Sequence, residues 1–391
     1  MSRPRPGVGA VAAVALLAAC GAGDEGTLPS EPPATAEVEP PAAVEDTTEE
    51  ATATPSRTPT VEPGPVVPAG FSKVATGLRS PWGLAFLPDG SALVSERDTA
   101  GIVRVTAGGD VTEVGVVAGV VPGGEGGLMG LALGPDPEDP DYVYAYFTAA
   151  SDNRLVRMPW DGSGLGTPEV LLEGVPKARN HDGGRIVFGP DGRLYVSTGD
   201  AGEPSRSQDL DSPAGKILRL EPDGGIPADN PFPGSPVWSL GHRNVQGLAF
   251  DDEGRLWAGE FGQTTYDELN LIEPGANYGW PEVEGPGDGG ERFVEPVAVW
   301  HPTGDASPSG IAWVRDTVFL AALAGERLLR VPVPDGAAGE PDEAAVGQFG
   351  RLRTVEVAPD GSLWVVTSNT DGRGDPRQGD DRMLRVTLTP E

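Results

Sequence analysis

One cysteine occurs in 391 residues, at position 20, so no disulfide can form within the chain and packing and hydrogen bonding must hold the fold. Histidine is nearly as scarce, with three, and there is no Cys or His clustering of the kind that zinc or copper sites require. Positive charge is short as well: 28 Lys and Arg stand against 59 Asp and Glu, a formal net charge of −31, which argues against nucleic acid and anionic surfaces as partners. The run from Val8 to Leu17 is too short to span a bilayer as a helix, for which roughly 20 apolar residues are needed. Helical periodicity is almost absent. What abounds is Gly, 57, and Pro, 41, which punctuate turns at the close spacing an all-β fold demands.

Residues 1–20 read as a targeting segment: Arg3 and Arg5 precede the short apolar run, which ends in Leu17-Ala18-Ala19-Cys20. Those four residues resemble the lipobox of bacterial lipoproteins, in which the Cys becomes the lipidated N-terminus; cleavage by an ordinary signal peptidase is the alternative. Residues 21–68 hold ten acidic residues against Arg57 alone, among many Pro, Thr and Ala. Such a stretch cannot bury enough apolar surface to offset its chain entropy and is expected to be a disordered tether. The expected product is an extracytoplasmic domain, residues 69–391, anchored to the membrane through Cys20.

That domain is repetitive. The stretch NHDGGRIVFGPDGRLYVSTGD, residues 180–200, contains an apolar strand, a Pro-Asp-Gly turn and an alternating strand, a strong hairpin signal. Related text starts at Gly83, Gly130, Gly247, Gly310 and Thr354; with Arg185 that makes six copies, at intervals of 47, 55, 62, 63 and 44 residues. Repeats of this length built from strands predict a β-propeller, here with six blades of four strands. A single small sheet cannot bury both faces, whereas a ring of six buries each against its neighbours.

Four polar segments lie just upstream of a repeat's first strand: Gly123-Gly124-Glu125-Gly126-Gly127, Asn180-His181-Asp182, Gly241-His242-Arg243-Asn244 and Arg351-Leu352-Arg353. In a propeller they should converge at one end of the ring, near its axis. Arg351 and Arg353, at i and i+2 on a strand, point to one face and suit a multiply carboxylated ligand; alone, they fit solvated edge residues paired with nearby Asp better. A neutral imidazole at His181 could accept an alcohol proton as a hydride leaves carbon, although a His in such a turn also serves packing. His242 reads more simply as a brace for its loop, and His301 gives no clear signal. The oxygen-rich loop from Glu260 to Asn270, with Gly262, Asp267 and Glu268, suits a hard cation such as calcium but lacks EF-hand spacing.

The segments Glu125-Gly126-Gly127-Leu128-Met129-Gly130, NHDGGRIVFGPDGRLYVSTGD, Gly241-His242-Arg243-Asn244-Val245-Gln246-Gly247-Leu248, and Asp267-Glu268-Leu269-Asn270-Leu271-Ile272 followed by Gly275-Ala276-Asn277-Tyr278-Gly279-Trp280-Pro281 resemble the soluble quinoprotein glucose dehydrogenases and their aldose sugar and sorbosone dehydrogenase relatives. The resemblance implies a six-bladed propeller that binds pyrroloquinoline quinone (PQQ) and calcium and oxidises the C1 hydroxyl of aldoses to lactones, passing electrons to an external acceptor. It implies that His181 is the general base. Arg243 and Asn244 would hold the quinone oxygens and Arg351 and Arg353 the cofactor carboxylates, with Glu125 and Asn180 beside them. The implied calcium set is Gly262 and Gln263, through their carbonyls, with Asp267, Glu268 and Tyr278. Three positions depart from the family pattern: Glu125 stands for Gln, Asn180 for Asp, and Ala324 for a cofactor-binding Lys. One cation lost and one anion gained should weaken the grip on a tricarboxylate, so Glu125→Gln with Ala324→Lys is expected to tighten it about tenfold. Competing readings are a ligand-binding propeller without turnover and a calcium-dependent lactonase; the paired arginines argue against the latter.

Overall fold

The computed structural model describes residues 64–287 and 289–391. The targeting segment and the tether up to residue 63 lie outside the described residues. The described residues form twenty-four strands and three short 3-10 segments joined by turns and loops, with no α-helix among them. The strands are β1 (Val66–Thr76); β2 (Pro81–Phe86), β3 (Ala92–Glu96), β4 (Gly101–Val105) and β5 (Val111–Val116); β6 (Leu128–Leu133), β7 (Tyr142–Thr148), β8 (Asn153–Pro159) and β9 (Glu169–Val175); β10 (Ile186–Phe188), β11 (Leu194–Ser197), β12 (Lys216–Leu220) and β13 (Val237–Leu240). They continue with β14 (Val245–Phe250), β15 (Leu256–Glu260), β16 (Asp267–Ile272) and β17 (Ala298–Trp300); β18 (Pro308–Trp313), β19 (Thr317–Ala322), β20 (Arg327–Pro332) and β21 (Asp342–Ala344); and β22 (Leu352–Val357), β23 (Leu363–Thr367) and β24 (Arg382–Pro390). Five sheets take four consecutive strands each, starting from β2, β6, β10, β14 and β18. The sixth is ordered β1-β24-β23-β22.

The molecule is a six-bladed β-propeller. Strand β1 pairs antiparallel with β24, Val66 opposite Pro390 and Thr76 opposite Arg382, so the first described strand is the outer strand of the last blade and closes the ring. That strand starts three residues before the boundary expected at residue 69. Val66 is fully buried; its N–H donates to Thr317 Oγ1 at 3.1 Å and its carbonyl accepts from Arg330 Nε at 2.6 Å, bonds that fasten the closing strand to the neighbouring blade.

Each sequence repeat is the first strand of a blade, its turn and the second strand. The first strands β2, β6, β10, β14, β18 and β22 touch one another around the axis. The glycine that four of them share has a steric cause: a Cβ on Gly130 would meet the Gly184 carbonyl at 2.2 Å, and one on Gly247 the Ser309 carbonyl at 2.3 Å. Near the axis the inner strands run too close together for a side chain. Further out, large side chains fill the space between blades, as where Tyr144 and Tyr146 of β7 pack against Leu194 and Val196 of β11. Each blade is thereby wedged by two neighbours, and the loops entering the inner strands are held on a rigid platform.

Candidate active site

Those entry loops do converge. Glu125, His181, Arg243, Asn244, Arg351 and Arg353 line one cavity of about 230 Å³, joined by Arg97, Gln246, Phe261, Ala324, Asp371 and Arg373. A larger hollow of about 460 Å³, lined by Leu84, Leu131 and Phe188, is mostly apolar, and Glu356, which burial pushes up to about 7, is one of two carboxylates in its wall. Size therefore does not mark the chemistry; the convergence of polar groups does.

His181 lies in the hairpin's approach with φ at 61°, a left-handed conformation uncommon outside glycine. Three contacts impose it. Its N–H donates to Glu125 Oε2 at 3.0 Å, its carbonyl accepts from Ala201 N–H at 3.1 Å, and Gly199 lies so close beneath that a Cβ there would meet the His181 carbonyl at 2.0 Å. The ring is set by Asp200, whose Oδ1 lies 2.7 Å from Nδ1. Asp200 is fully buried and also accepts from Gly202 N–H at 2.7 Å and Trp280 Nε1 at 3.0 Å. Burial would raise its carboxyl, but the bond to His181 and these donors outweigh it and hold the group below the ordinary Asp value. An ionised carboxylate at Nδ1 fixes the tautomer with the proton on Nδ1, leaving Nε2 as the basic nitrogen.

Arginines supply the opposite wall. Arg353 Nη1 donates to Gln246 Oε1 at 2.8 Å, and Asp371 Oδ2 lies 3.3 Å from Arg351 Nη2 and 3.6 Å from Arg353 Nη2. Burial pushes Arg353 down to about 9, against the pull of Asp371. Burial also lowers Arg243. The Nε atoms of Arg243, Arg351 and Arg353 are all buried without a hydrogen-bond partner. Three orphaned cationic donors around one cavity are costly unless an anion completes them. This donor set fits the carboxylates and carbonyl oxygens of a PQQ-type cofactor. Asn244 plays a second part: its Oδ1 accepts from Gly183 N–H at 3.1 Å and ties down the turn after His181.

Gly262, Glu268 and Tyr278 line a smaller adjoining hollow with Glu260 and Glu284, and Arg243 and Phe261 border both spaces. Glu268 is pushed up to about 8 by burial, and the charges of Glu260 and Glu284 add to the effect. A cation would relieve that repulsion, which makes the hollow chemically suited to calcium, although no three acidic, His or Cys side chains among the described residues are preassembled as a metal cluster. Gln263 lies in the loop that Glu284 organises: Glu284 Oε1 accepts from the N–H groups of residues 263–266 at 2.7–3.2 Å.

Several expected residues do other work. Asp267 has both oxygens committed to backbone N–H groups, of Gly262 at 3.0 Å and of Gly304 and Ser307 at 3.3 and 2.7 Å, and so braces the loop. The Tyr278 hydroxyl donates to Leu271 O at 2.6 Å and accepts from Glu273 N–H at 2.9 Å, so it too braces its loop. Asn180 lines neither space. His242 is a brace: fully buried, it stacks on Tyr278 and bonds Ser239 Oγ at 2.8 Å and Glu260 Oε2 at 2.9 Å. Sequence reasoning assigned no role to Asp200, Asp371, Arg97, Arg373, Gln246 or Glu284. Asp200 had a signal, since it ends the same stretch that begins with Asn180.

Comparison with known proteins agrees with this geometry. The family model described as glucose/sorbosone dehydrogenase matches residues 78–378. The chain is 36% identical over 268 residues to quinoprotein glucose dehydrogenase B of Acinetobacter calcoaceticus, covering 56% of each chain. It is 29% identical over 331 residues to the aldose sugar dehydrogenase YliI of Escherichia coli, covering 75% of this chain and 89% of that one. Among solved structures, the PQQ-bound form of aldose sugar dehydrogenase from Streptomyces coelicolor superposes with a TM-score of 0.79 at 56% identity, over 84% of this chain and all of that one. With the matched model spanning most of the chain and a ring of arginines and one poised histidine at the mouth of its propeller, the protein belongs to the glucose/sorbosone dehydrogenase family.

Proposed function

We propose that this protein is a PQQ- and calcium-dependent dehydrogenase that oxidises the C1 hydroxyl of aldose sugars to lactones and passes the electrons to an external acceptor. The observation that carries the reading is one cavity holding three unpartnered arginine Nε donors beside a histidine whose Nδ1 is locked by a buried carboxylate. When bound, the quinone supplies a two-electron acceptor for the hydride from C1, polarised by the neighbouring cation.

The chain's own residues do the rest. His181 Nε2 takes the C1 hydroxyl proton, and Asp200 stabilises the imidazolium that results. Arg351 and Arg353 would bind carboxylates, and Arg243 and Asn244 the quinone oxygens. Carbonyls of Gly262 and Gln263, with Glu268, would hold the calcium. Titrating the purified protein with PQQ and calcium, then screening aldoses with an artificial electron acceptor, tests this reading. Tight PQQ binding with calcium-dependent turnover is expected; binding of aldoses without turnover would leave a ligand-binding propeller instead.

The location belongs to the same proposal: a lipid on Cys20 holds the enzyme outside the cytoplasm, with residues 21–65 as spacer. Among the described residues none that lines the cavity precedes Arg97, so anchoring and catalysis should be separable. Replacing Cys20 by Ser should release the protein from membranes with specific activity unchanged, measured by fractionation and dye reduction. Retention on the membrane after this change would refute the anchor.

A further inference from the structure

Glu125 and Ala324 make the cavity look poorly suited to a tricarboxylate, since one adds an anion and the other lacks a cation. Arg373 answers both. It sits in the connection between β23 and β24, lines the same cavity as Ala324, Arg351 and Arg353, and its Nη1 donates to Glu125 Oε1 at 2.7 Å across 248 residues of chain. The other guanidinium groups there have nearer duties: Arg97 binds Asp98 through two donors, Arg243 donates to Phe261 O at 3.2 Å, and Arg351 and Arg353 share Asp371.

The position of Arg373 is not accidental to its loop. Its own N–H donates to Asp371 Oδ1 at 2.9 Å, and Asp371 is buried beneath Arg351 and Arg353, so the arginine pair that faces the cavity also anchors the backbone that presents Arg373. Glu125 in turn carries two bonds, one to Arg373 and one to the His181 N–H. Burial would raise its carboxyl, but those two donors outweigh it and hold the group below the ordinary Glu value, fully ionised.

We propose that Arg373 is a cofactor-site cation that cancels Glu125 at the rim and supplies the positive charge missing at position 324, with Glu125 holding both Arg373 and the His181 turn in place. The inference rests on the PQQ reading above. Without Arg373 the Glu125 carboxylate would stand bare against an anionic ligand, in a partly buried site where charge repulsion is weakly screened.

Equilibrium titration of the full chain with PQQ, in excess calcium and without sugar, tests it. Arg373→Gln should weaken binding about tenfold, equivalent to about 1.4 kcal/mol, while Arg373→Lys stays within about threefold of the natural protein. Adding either Glu125→Gln or Ala324→Lys to Arg373→Gln should recover most of the loss, because each restores the charge balance by a different route. A purely structural role for Arg373 would not be rescued from position 324. The proposal is overturned if Arg373→Gln binds within twofold of the natural protein, or if neither second change restores affinity. Failure of the natural protein itself to bind PQQ would instead refute the quinone reading, and this assignment with it; the two failures are thus distinguishable.

Discussion

Replacing His181 by alanine is expected to lower kcat by about 10²–10⁴, the usual cost of removing a positioned general base, while PQQ affinity stays within about threefold. The separation follows from the geometry. The imidazole is the group at the cavity wall whose free nitrogen is basic, because Asp200 occupies Nδ1 at 2.7 Å. The unpartnered donors that would grip the cofactor belong to Arg243, Arg351 and Arg353, and none of them contacts the His181 ring through a described hydrogen bond. Backbone damage should be small: the left-handed turn at residue 181 is fixed by the Glu125, Ala201 and Gly199 contacts, which are made by or to main-chain atoms that alanine retains. Stopped-flow reduction of the loaded enzyme by saturating aldose, beside a PQQ titration, measures both quantities. A loss in kcat below tenfold would move the base elsewhere, and His242 could not inherit the role, since both of its ring nitrogens are bonded in the interior.

What the sequence made legible was whatever repeats or lies close together in the chain. The six blades followed from six copies of a strand-turn-strand text, and the glycine that opens four of them now has a cause in the contact between inner strands, as at Gly130 and Gly247. The closing strand was only partly legible. Residues 66–68 read as tether because Val66, Val67 and Pro68 carry no strand alternation, and only pairing with β24, more than 300 residues away, makes them a strand. The site followed the same rule. Glu125, His181, Arg243, Asn244, Arg351 and Arg353 each enter an inner strand, so their convergence could be inferred from the ring. Their partners could not: Asp371 and Arg373 arrive from the far side of β23, and Glu284 from a loop beyond β16. Glu125 shows the consequence. Taken alone it is a repulsive charge, and its removal with Ala324→Lys is expected to help binding; with Arg373 against it and the His181 N–H upon it, the same carboxylate holds the site together.

The second large effect is expected at the arginine pair. Arg351→Gln with Arg353→Gln should weaken PQQ binding by about 10²–10⁴, since each charge-assisted contact to an anion contributes about 1.5–3 kcal/mol and part of that is lost at both positions. Both Nε atoms are buried and unpartnered, so an anion that reaches them completes donors that are otherwise costly to bury. The main confounder is Asp371, whose side chain is 1% exposed and would lose both guanidinium neighbours. A stranded buried carboxylate repels an anionic ligand and destabilises the loop that carries Arg373. Adding Asp371→Asn separates the causes. If the missing donors dominate, the triple variant should remain at least tenfold weaker than the natural protein by calorimetric titration in excess calcium, and its binding should depend less steeply on salt. Full recovery in the triple variant would assign the loss to Asp371 instead, and PQQ binding within tenfold in the double variant would place the cofactor's carboxylates away from this wall of the cavity.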